Sequence, residues 1–499
     1  MKTINEVTNT VKRKESILQF GEGNFLRAFV DWQIDNANEK TDFNSNVVIV
    51  QPLAKGLSDM INDQEGLYTT ITRGIRNDEI VEDYRKITSV SRCINVYDEF
   101  DKYMEMSKSE DLRFVISNTT EAGISYSENC SLSDQPAASF PAKVTQLLYS
   151  RFNHFNKEGH GLIFIPCELI EKNGDNLKAI IIRYANEWKL GDDFISWVNS
   201  ECIFANSLVD RIVTGYPRNE ADAICEKIGY KDNLLDTAEL FHLWVIEAKK
   251  ENLEQLRKEF PLDKAGLNVI FTDDMSFYRT RKVRILNGTH TLMVLAAHLY
   301  GITTVDEALN DEVVFKFIKE GLFDEIIESM DGDKDMLLDY AKDVLNRFRN
   351  PFLNHQVLAI SLNSTSKFKT RDLPSLLSYV EKFNKAPQAL SFSIASLIRF
   401  YKGQNIENRS MKGLYNGKEY LIKDDESVLS FFEDLYKAYD ESKTEDRKVI
   451  VNKVLSQTSW WGLDLTTLQD LEASVLKYYD EICTKEMKQA LTDFVNRNN

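Results

Sequence analysis

The stretch Leu18-Gln19-Phe20-Gly21-Glu22-Gly23-Asn24-Phe25-Leu26-Arg27 decides the fold. It sets a Gly-x-Gly between a short apolar run, Ser16 to Phe20, and a segment, Phe25 to Ile34, whose Phe25, Ala28, Phe29 and Trp32 recur at helical spacing. A strand, a glycine turn and a helix, in that order, open a dinucleotide-binding fold. One glycine permits the tight turn, and the next lets the backbone approach a pyrophosphate at the helix N-terminus. The third glycine of that fingerprint is absent: Leu26 holds its place, followed by Arg27. A Gly-x-Gly by itself is also an ordinary turn, and it is the position after a first strand that favours a cofactor.

Outward from this turn, Asn46–Val50 (NVVIV), Leu112–Ser117 and Gly161–Ile165 read as buried strands, and Ala142–Phe152 as an amphipathic helix. Such alternation indicates a parallel α/β sheet. The segment from Glu65 to Val96 alternates polar and apolar residues and is expected to form an inserted hairpin or edge strands. Beyond about Asp274 the period becomes helical, over Asn287–Tyr300, Asp311–Ile327, Asp335–Arg347, Leu373–Asn384, Gln388–Tyr401, Glu426–Tyr439 and Thr466–Asn496. The expected architecture is α/β: a Rossmann-like dinucleotide-binding domain with inserted strands over residues 1–274, then a mostly α-helical substrate and catalytic domain over 275–499. His242 and His298 lie among apolar residues and read as packing, as do Trp460-Trp461 and the Phe392–Phe400 stripe.

At 499 residues the chain exceeds what one core usually serves. Its hydrophobic share of 43% and charged share of 28% are those of an ordinary globular protein. A net charge of −17 speaks against binding nucleic acid or an anionic membrane. An anionic small substrate stays open, because a few Arg and Lys residues can dominate one cleft. The six cysteines are scattered without a C-x-x-C pair, which suits reduced thiols in the cytoplasm. Met1 to Glu15 has no apolar signal-peptide core, no run is long enough to span a membrane, and no H-x-x-H or Cys/His cluster offers a metal site. The chain is expected to be a cytoplasmic monomer or small homo-oligomer.

Two further features bear on chemistry. The NVVIV strand ends in Gln51-Pro52 rather than in the acid that usually binds the adenosine ribose, and no arginine follows directly to take a 2′-phosphate; NAD is the expected cofactor over NADP. The densest chemical segment is Arg281-Lys282-Val283-Arg284-Ile285-Leu286-Asn287-Gly288-Thr289-His290-Thr291. Asn287 and His290, three apart, share a helical face. A lysine beside a cationic nicotinamide in a partly dry cleft has its ammonium form disfavoured, which suits a general base. Asn287 could donate to a developing alkoxide or carbonyl oxygen. On residue types alone, a surface helix start with a solvated Lys-Arg pair and a structural histidine competes with this reading.

The segment resembles the K-x-x-x-L-N-G-x-H signature of the polyol-specific long-chain dehydrogenases, the mannitol dehydrogenase family. Gln19–Phe29 (QFGEGNFLRAF) resembles that family's cofactor turn, and Ser117–Gly123 (SNTTEAG) its loop after a later strand. Pro166–Ile170 with Asn173-Gly174, Leu208-Val209-Asp210-Arg211-Ile212, and Arg347-Phe348-Arg349-Asn350-Pro351 with His355 follow in order, from about residue 16 to at least 370. Where mannitol dehydrogenases read C-D-N, this chain reads Cys167-Glu168-Leu169. The departure counts against a simple polyol and leaves Asn173 as the nearer amide.

The resemblance implies a metal-independent, NAD-dependent oxidoreductase. Lys282 would be its general acid/base, Asn287 with Asn173 its oxyanion-stabilising pair, and His290 its substrate-positioning residue. It implies cofactor contacts from Leu18, Gln19, Phe20, Gly21, Glu22, Gly23, Asn24, Phe25, Leu26, Arg27, Ala28, Phe29, Asn118 and Thr119. The wording of the strings is closest to the branch acting on sugar acids, with D-altronate and D-tagaturonate as the expected couple; mannitol, arabinitol or mannonate is the alternative, and a silent nucleotide-binding module is the reading from another class. Asp210 and Arg211 are either a structural ion pair or residues near the substrate. For a substrate carboxylate Arg349 is the first choice, with His355 beside it and Arg284 and Lys367 as alternatives.

Overall fold

The computed structural model describes residues 1–120 and 122–497, so Glu121 of the SNTTEAG loop lies outside the described residues. The chain divides into two units, Met1–Ser276 and Phe277–Asn499.

The first unit is built on a six-stranded sheet: β1 (Lys14–Phe20), β2 (Ser45–Gln51), β5 (Val90–Asn95), β6 (Phe114–Ser117), β7 (Ile163–Pro166) and β8 (Ile203–Phe204). They lie in the order β5-β2-β1-β6-β7-β8, every pairing parallel. Counting these strands alone, that is the doubly wound 3-2-1-4-5-6 order. β2 is buried along its whole length, as a strand covered on both faces must be. Successive residues face opposite ways. Ile17, Val47, Ile49, Ile116 and Ile165 therefore pack on one face with Phe29, Val30 and Ile34. Leu18, Phe20, Val48, Val50, Val115 and Phe164 pack on the other with Val144, Leu147 and Leu148.

The segment from Glu65 to Val96 supplies both a hairpin and an edge strand. β3 (Tyr68–Arg76) and β4 (Glu79–Ile87) do form a hairpin, turned by Asn77 and Asp78, both at positive φ. Val90–Asn95 joins the main sheet as its edge strand β5, beside β2. An edge strand and a hairpin strand carry the same alternating pattern, so periodicity cannot separate them. Five further strands, β9 (Asn206–Asp210), β10 (Val213–Gly215), β11 (Asp236–Glu239), β12 (Leu243–Glu247) and β13 (Val269–Thr272), build two smaller sheets with orders β10-β11-β3-β4 and β13-β12-β9.

The second unit is mostly helical, centred on the buried helices Gly288–Tyr300 and Gln388–Phe400. The long C-terminal segment is two helices meeting at Glu486, whose φ is +64°. An antiparallel sheet of β14 (Gly403–Glu407), β15 (Ser410–Tyr415) and β16 (Lys418–Lys423) interrupts the helices, beyond the helical expectation for this region. Its second turn is Asn416-Gly417, both at positive φ, the dipeptide that most directly signals a hairpin. Among the described residues no helix is long and apolar enough to cross a membrane.

Candidate functional site

In the first unit a cavity of about 320 Å³ opens over the carboxyl ends of β1, β2 and β6. Its lining includes Gly21, Glu22 and Gly23, then Pro52 and Leu53, then Asn118 and Thr119. The strand order reverses between β1 and β6, and such a switch point is where doubly wound sheets hold ligands. Gly21 has φ +120°, a conformation costly for any side chain. A Cβ there would also come within 3.1 Å of the Asn118 carbonyl oxygen. Gly23 N-caps the helix that starts at Asn24, and nothing lies within 4 Å of where its Cβ would stand. The turn thus leaves bare backbone beside a helix N-terminus, the arrangement that receives phosphates.

The other expected cofactor residues hold this turn from behind. Leu18, Phe20, Leu26, Ala28 and Phe29 are core residues, and Phe25 stacks on Phe29. Gln19 is fully buried and donates to the Gly21 carbonyl. Arg27, 1% exposed, donates to the Glu22 carbonyl, to the Leu234 carbonyl and to Asn24 Oδ1. Its guanidinium therefore braces the turn from within. Two contributors escaped the sequence reading. Glu168, buried with its carboxyl raised by desolvation, accepts from the Ser117 hydroxyl and from Thr119 N–H and O–H, so it ties the β6 loop to the end of β7. Lys143 lines the cavity with its ammonium on the Ala138 carbonyl, and burial lowers its pKa to about 8.

The hydrogen bonds of Asn173 and Arg211 show what their side chains hold. The Asn173 side chain is fully buried, its amide donating to the carbonyls of Pro166, Glu168 and Ser207. Its oxygen accepts from Gly174 and Ser207 N–H. Every hydrogen-bonding position of the group is in use, so it staples β7 to β9 and has no donor left for a substrate oxygen. Arg211 spends its guanidinium on the carbonyls of Ala28 and Glu239, over the Trp32 ring. It is a structural clamp, and Asp210, buried in β9, precedes it.

In the second unit the helix carrying the expected catalytic residues is not a plain α-helix. Lys282–Asn287 is a π-helical turn, closed by a bond from Gly288 N–H to the Val283 carbonyl, five residues back. In an α-helix residues five apart diverge by about 140°; in a π turn they lie roughly one above the other. Lys282 and Asn287, both half-buried, thereby come to one face. His290 follows one turn later, its ring stacked on Phe348 at 4.0 Å and edge-on to His355 at 5.2 Å.

The field around His290 is cationic. Burial first, then His355, Arg371, Arg347 and Lys367, hold its pKa well below that of a free histidine, so the ring is neutral. Lys367 and Arg371 stand one turn apart on the helix Ser364–Arg371. Lys367 donates to the Ile360 carbonyl and is lowered to about 8 by burial and Arg371; Arg371 donates to the Thr291 hydroxyl. Arg349 instead covers the Phe315 ring, and Arg284 donates to the Ser378 hydroxyl. Among the described residues no cluster of His, Cys, Asp and Glu could hold a metal ion.

Known proteins match this chain along nearly its whole length. The model of the mannitol dehydrogenase Rossmann domain matches residues 15–259, and that of the mannitol dehydrogenase C-terminal domain residues 274–483. An altronate oxidoreductase of Enterobacter sp. (strain 638) is 45% identical over 479 residues, 96% of each chain. One of Phocaeicola vulgatus is 45% identical over 493 residues, 98% of this chain and 99% of the other. Among solved structures, a substrate-free D-sorbitol dehydrogenase aligns with a TM-score of 0.77 at 20% identity, covering 98% of this chain and all of the other. A Pseudomonas fluorescens mannitol 2-dehydrogenase, in ternary complex with NAD and D-mannitol, aligns with a TM-score of 0.64 at 18% identity, covering 97% and 95%. At those identities the two structures speak for the fold, and the sequence matches speak for descent: the chain belongs to the mannitol dehydrogenase family.

Proposed function

We propose that this chain is an NAD-dependent oxidoreductase that interconverts D-altronate and D-tagaturonate in the cytoplasm, with Lys282 as its proton-transferring residue. Its relatives named altronate oxidoreductase support the substrate pair. The observation that carries a sugar acid over a neutral polyol is the positive charge of Arg371, Arg347 and Lys367 acting on His290, with Arg371 bonded to the neighbouring Thr291 hydroxyl. A carboxylate is the natural counter-ion for such a cluster, and an arginine can hold it by two parallel bonds. Lys367 and Arg371 replace Arg349 as the preferred contacts.

The glycine turn fits a dinucleotide, because Gly23 leaves its backbone open and the helix N-terminus favours negative charge. Bound there, the nicotinamide would supply hydride acceptance and delivery. The chain's own residues supply the rest. Lys282 accepts the alcohol proton at Nζ in oxidation and returns it in reduction. Asn287 donates its amide to the same oxygen as negative charge develops. His290, kept neutral, orients substrate hydroxyls without titrating.

Purified protein mixed with NADH and tagaturonate should consume the reduced nicotinamide, and fructose in its place should give a far slower rate. Replacing Lys367 and Arg371 together by Met should raise KM for the keto acid by about 100-fold or more, two charge-assisted contacts being lost, while leaving any rate on fructose nearly unchanged. Preference for the neutral sugar would overturn the sugar-acid assignment, and nicotinamide binding without turnover of any sugar acid would favour a silent binding module.

A further inference from the structure

The second strand of a dinucleotide fold usually ends in an acid that takes the adenosine ribose hydroxyls and repels a 2′-phosphate. Here β2 ends in Gln51, and that side chain is occupied. Its Oε1 accepts from Ser58 N–H at 2.9 Å and its Nε2 donates to the Leu53 carbonyl at 2.8 Å, so both ends of the amide close the loop that follows the strand. The physical requirement is a carboxylate above the end of β2, whichever segment it comes from.

Glu22, the middle residue of the Gly21-Glu22-Gly23 turn, reaches that place. A Cβ built on Gly56, in the loop after β2, would stand 2.1 Å from Glu22 Oε1 and 2.5 Å from Gln51 Oε1. The carboxylate thus lies directly against the bare Cα of Gly56 and beside the Gln51 amide. The Leu57 backbone N–H supports it, and burial raises its pKa from the ordinary carboxylate value. The nearby Arg27 does not neutralise it by direct bonding, because its Nε is turned to the Glu22 carbonyl. Glu22 lines the same cavity as Gly21, Gly23, Pro52 and Leu53.

We propose that Glu22 is the specificity-determining residue for the cofactor: its carboxylate takes the place of the strand-end acid, binds the adenosine ribose diol and excludes a 2′-phosphate. Lys55, exposed on the same loop, offers a charge that would welcome a phosphate, so the choice is set by how close Glu22 stands. The inference rests on the nicotinamide-dinucleotide reading above, and its test separates the two.

Full-length wild type, Glu22→Gln and Glu22→Asp are titrated calorimetrically with ADP-ribose and with its 2′-phosphate, neither of which reports turnover, and thermal unfolding is followed alongside. Wild type should prefer ADP-ribose by about tenfold or more, like charges in contact being costly. Glu22→Gln should narrow that ratio by about tenfold, partly by gaining affinity for the 2′-phosphate at Lys55, and Glu22→Asp should keep most of it. A ratio in Glu22→Gln equal to that of wild type, or an equal loss of both ligands, overturns the role of Glu22 and leaves the NAD reading standing. A wild type that prefers the 2′-phosphate overturns both.

Discussion

Lys282 and Asn287 show how much one backbone irregularity decides. Five residues apart, they would point away from each other on an α-helix, and the π turn ending at Gly288 returns them to one face. If Lys282 carries the proton, Lys282→Ala should lower kcat by about 10²–10⁴-fold, the usual worth of a general acid/base, with NADH binding kept; near-normal rates across pH would remove the assignment. Asn173 calls for the opposite outcome. Its buried amide serves three carbonyls and two N–H groups, and Asn173→Ala should cost about 2–4 kcal/mol of stability, because buried partners are left unsatisfied. Urea unfolding measures this. A variant of normal stability with collapsed kcat would return Asn173 to the oxyanion role.

At the scale of elements, the helix Asn173–Glu187 is seated on β9 so closely that its second residue has no room for a side chain. A Cβ on Gly174 would lie 2.3 Å from the Ala205 carbonyl oxygen and 2.7 Å from its carbon. Both are backbone atoms held in the sheet region and cannot swing aside. Gly174→Ala should therefore destabilise the protein by roughly 1–3 kcal/mol, the cost of an overpacked site, although alanine is the better helix former. Unchanged stability in urea would mean that the helix slides without penalty. The same closeness explains why the Asn173-Gly174 pair reads as functional from sequence: a side chain that must bond locally next to a residue that must be bare is also what a binding loop looks like.

Across the whole molecule, buried ionisable groups pull stability against pH in both directions. Burial lowers His242 in the first unit and His298 in the second to about 4. Such a histidine stays neutral in the fold while the unfolded chain takes up protons below about 6.5, so its contribution is present above that value and lost as pH falls toward 4. Asp31 and Asp236, raised to about 7 by burial, act oppositely. They hold protons in the fold that the unfolded chain has released, and their contribution is lost as pH rises from the ordinary aspartate range to 7. The two trends offset between pH 4 and 6.5, so a variant is needed to see either one. His298 packs edge-on against Tyr420 and Phe400, a site where Phe is a near match in volume. Relative to His298→Phe, wild type should lose about 1 kcal/mol between pH 7.5 and 5.5. Chemical denaturation at several pH values checks this, and a pH-independent difference would show that the ring titrates normally.

What the sequence by itself determined was the parallel α/β domain opened by the first glycine turn, the mostly helical character that follows it, and the segment that holds Lys282, Asn287 and His290. Those signals are local: side-chain period, turn chemistry and motif spacing act over a few residues. Only the tertiary structure decided what each polar group faces. Arg211 reads as either an ion-pair residue or one near the substrate, and only the fold shows its guanidinium on the Ala28 carbonyl, 183 positions away. Arg349 reads like the carboxylate ligand, and only the fold shows that its guanidinium lies over the Phe315 ring. Lys143 carries no motif, and its place at the cavity comes from the fold; Glu168 stands in the Cys167-Glu168-Leu169 string, yet its bonds to Ser117 and Thr119 appear only in the fold. A charged group is worth little in water and much once buried beside the right partner, and the partner is chosen by the fold.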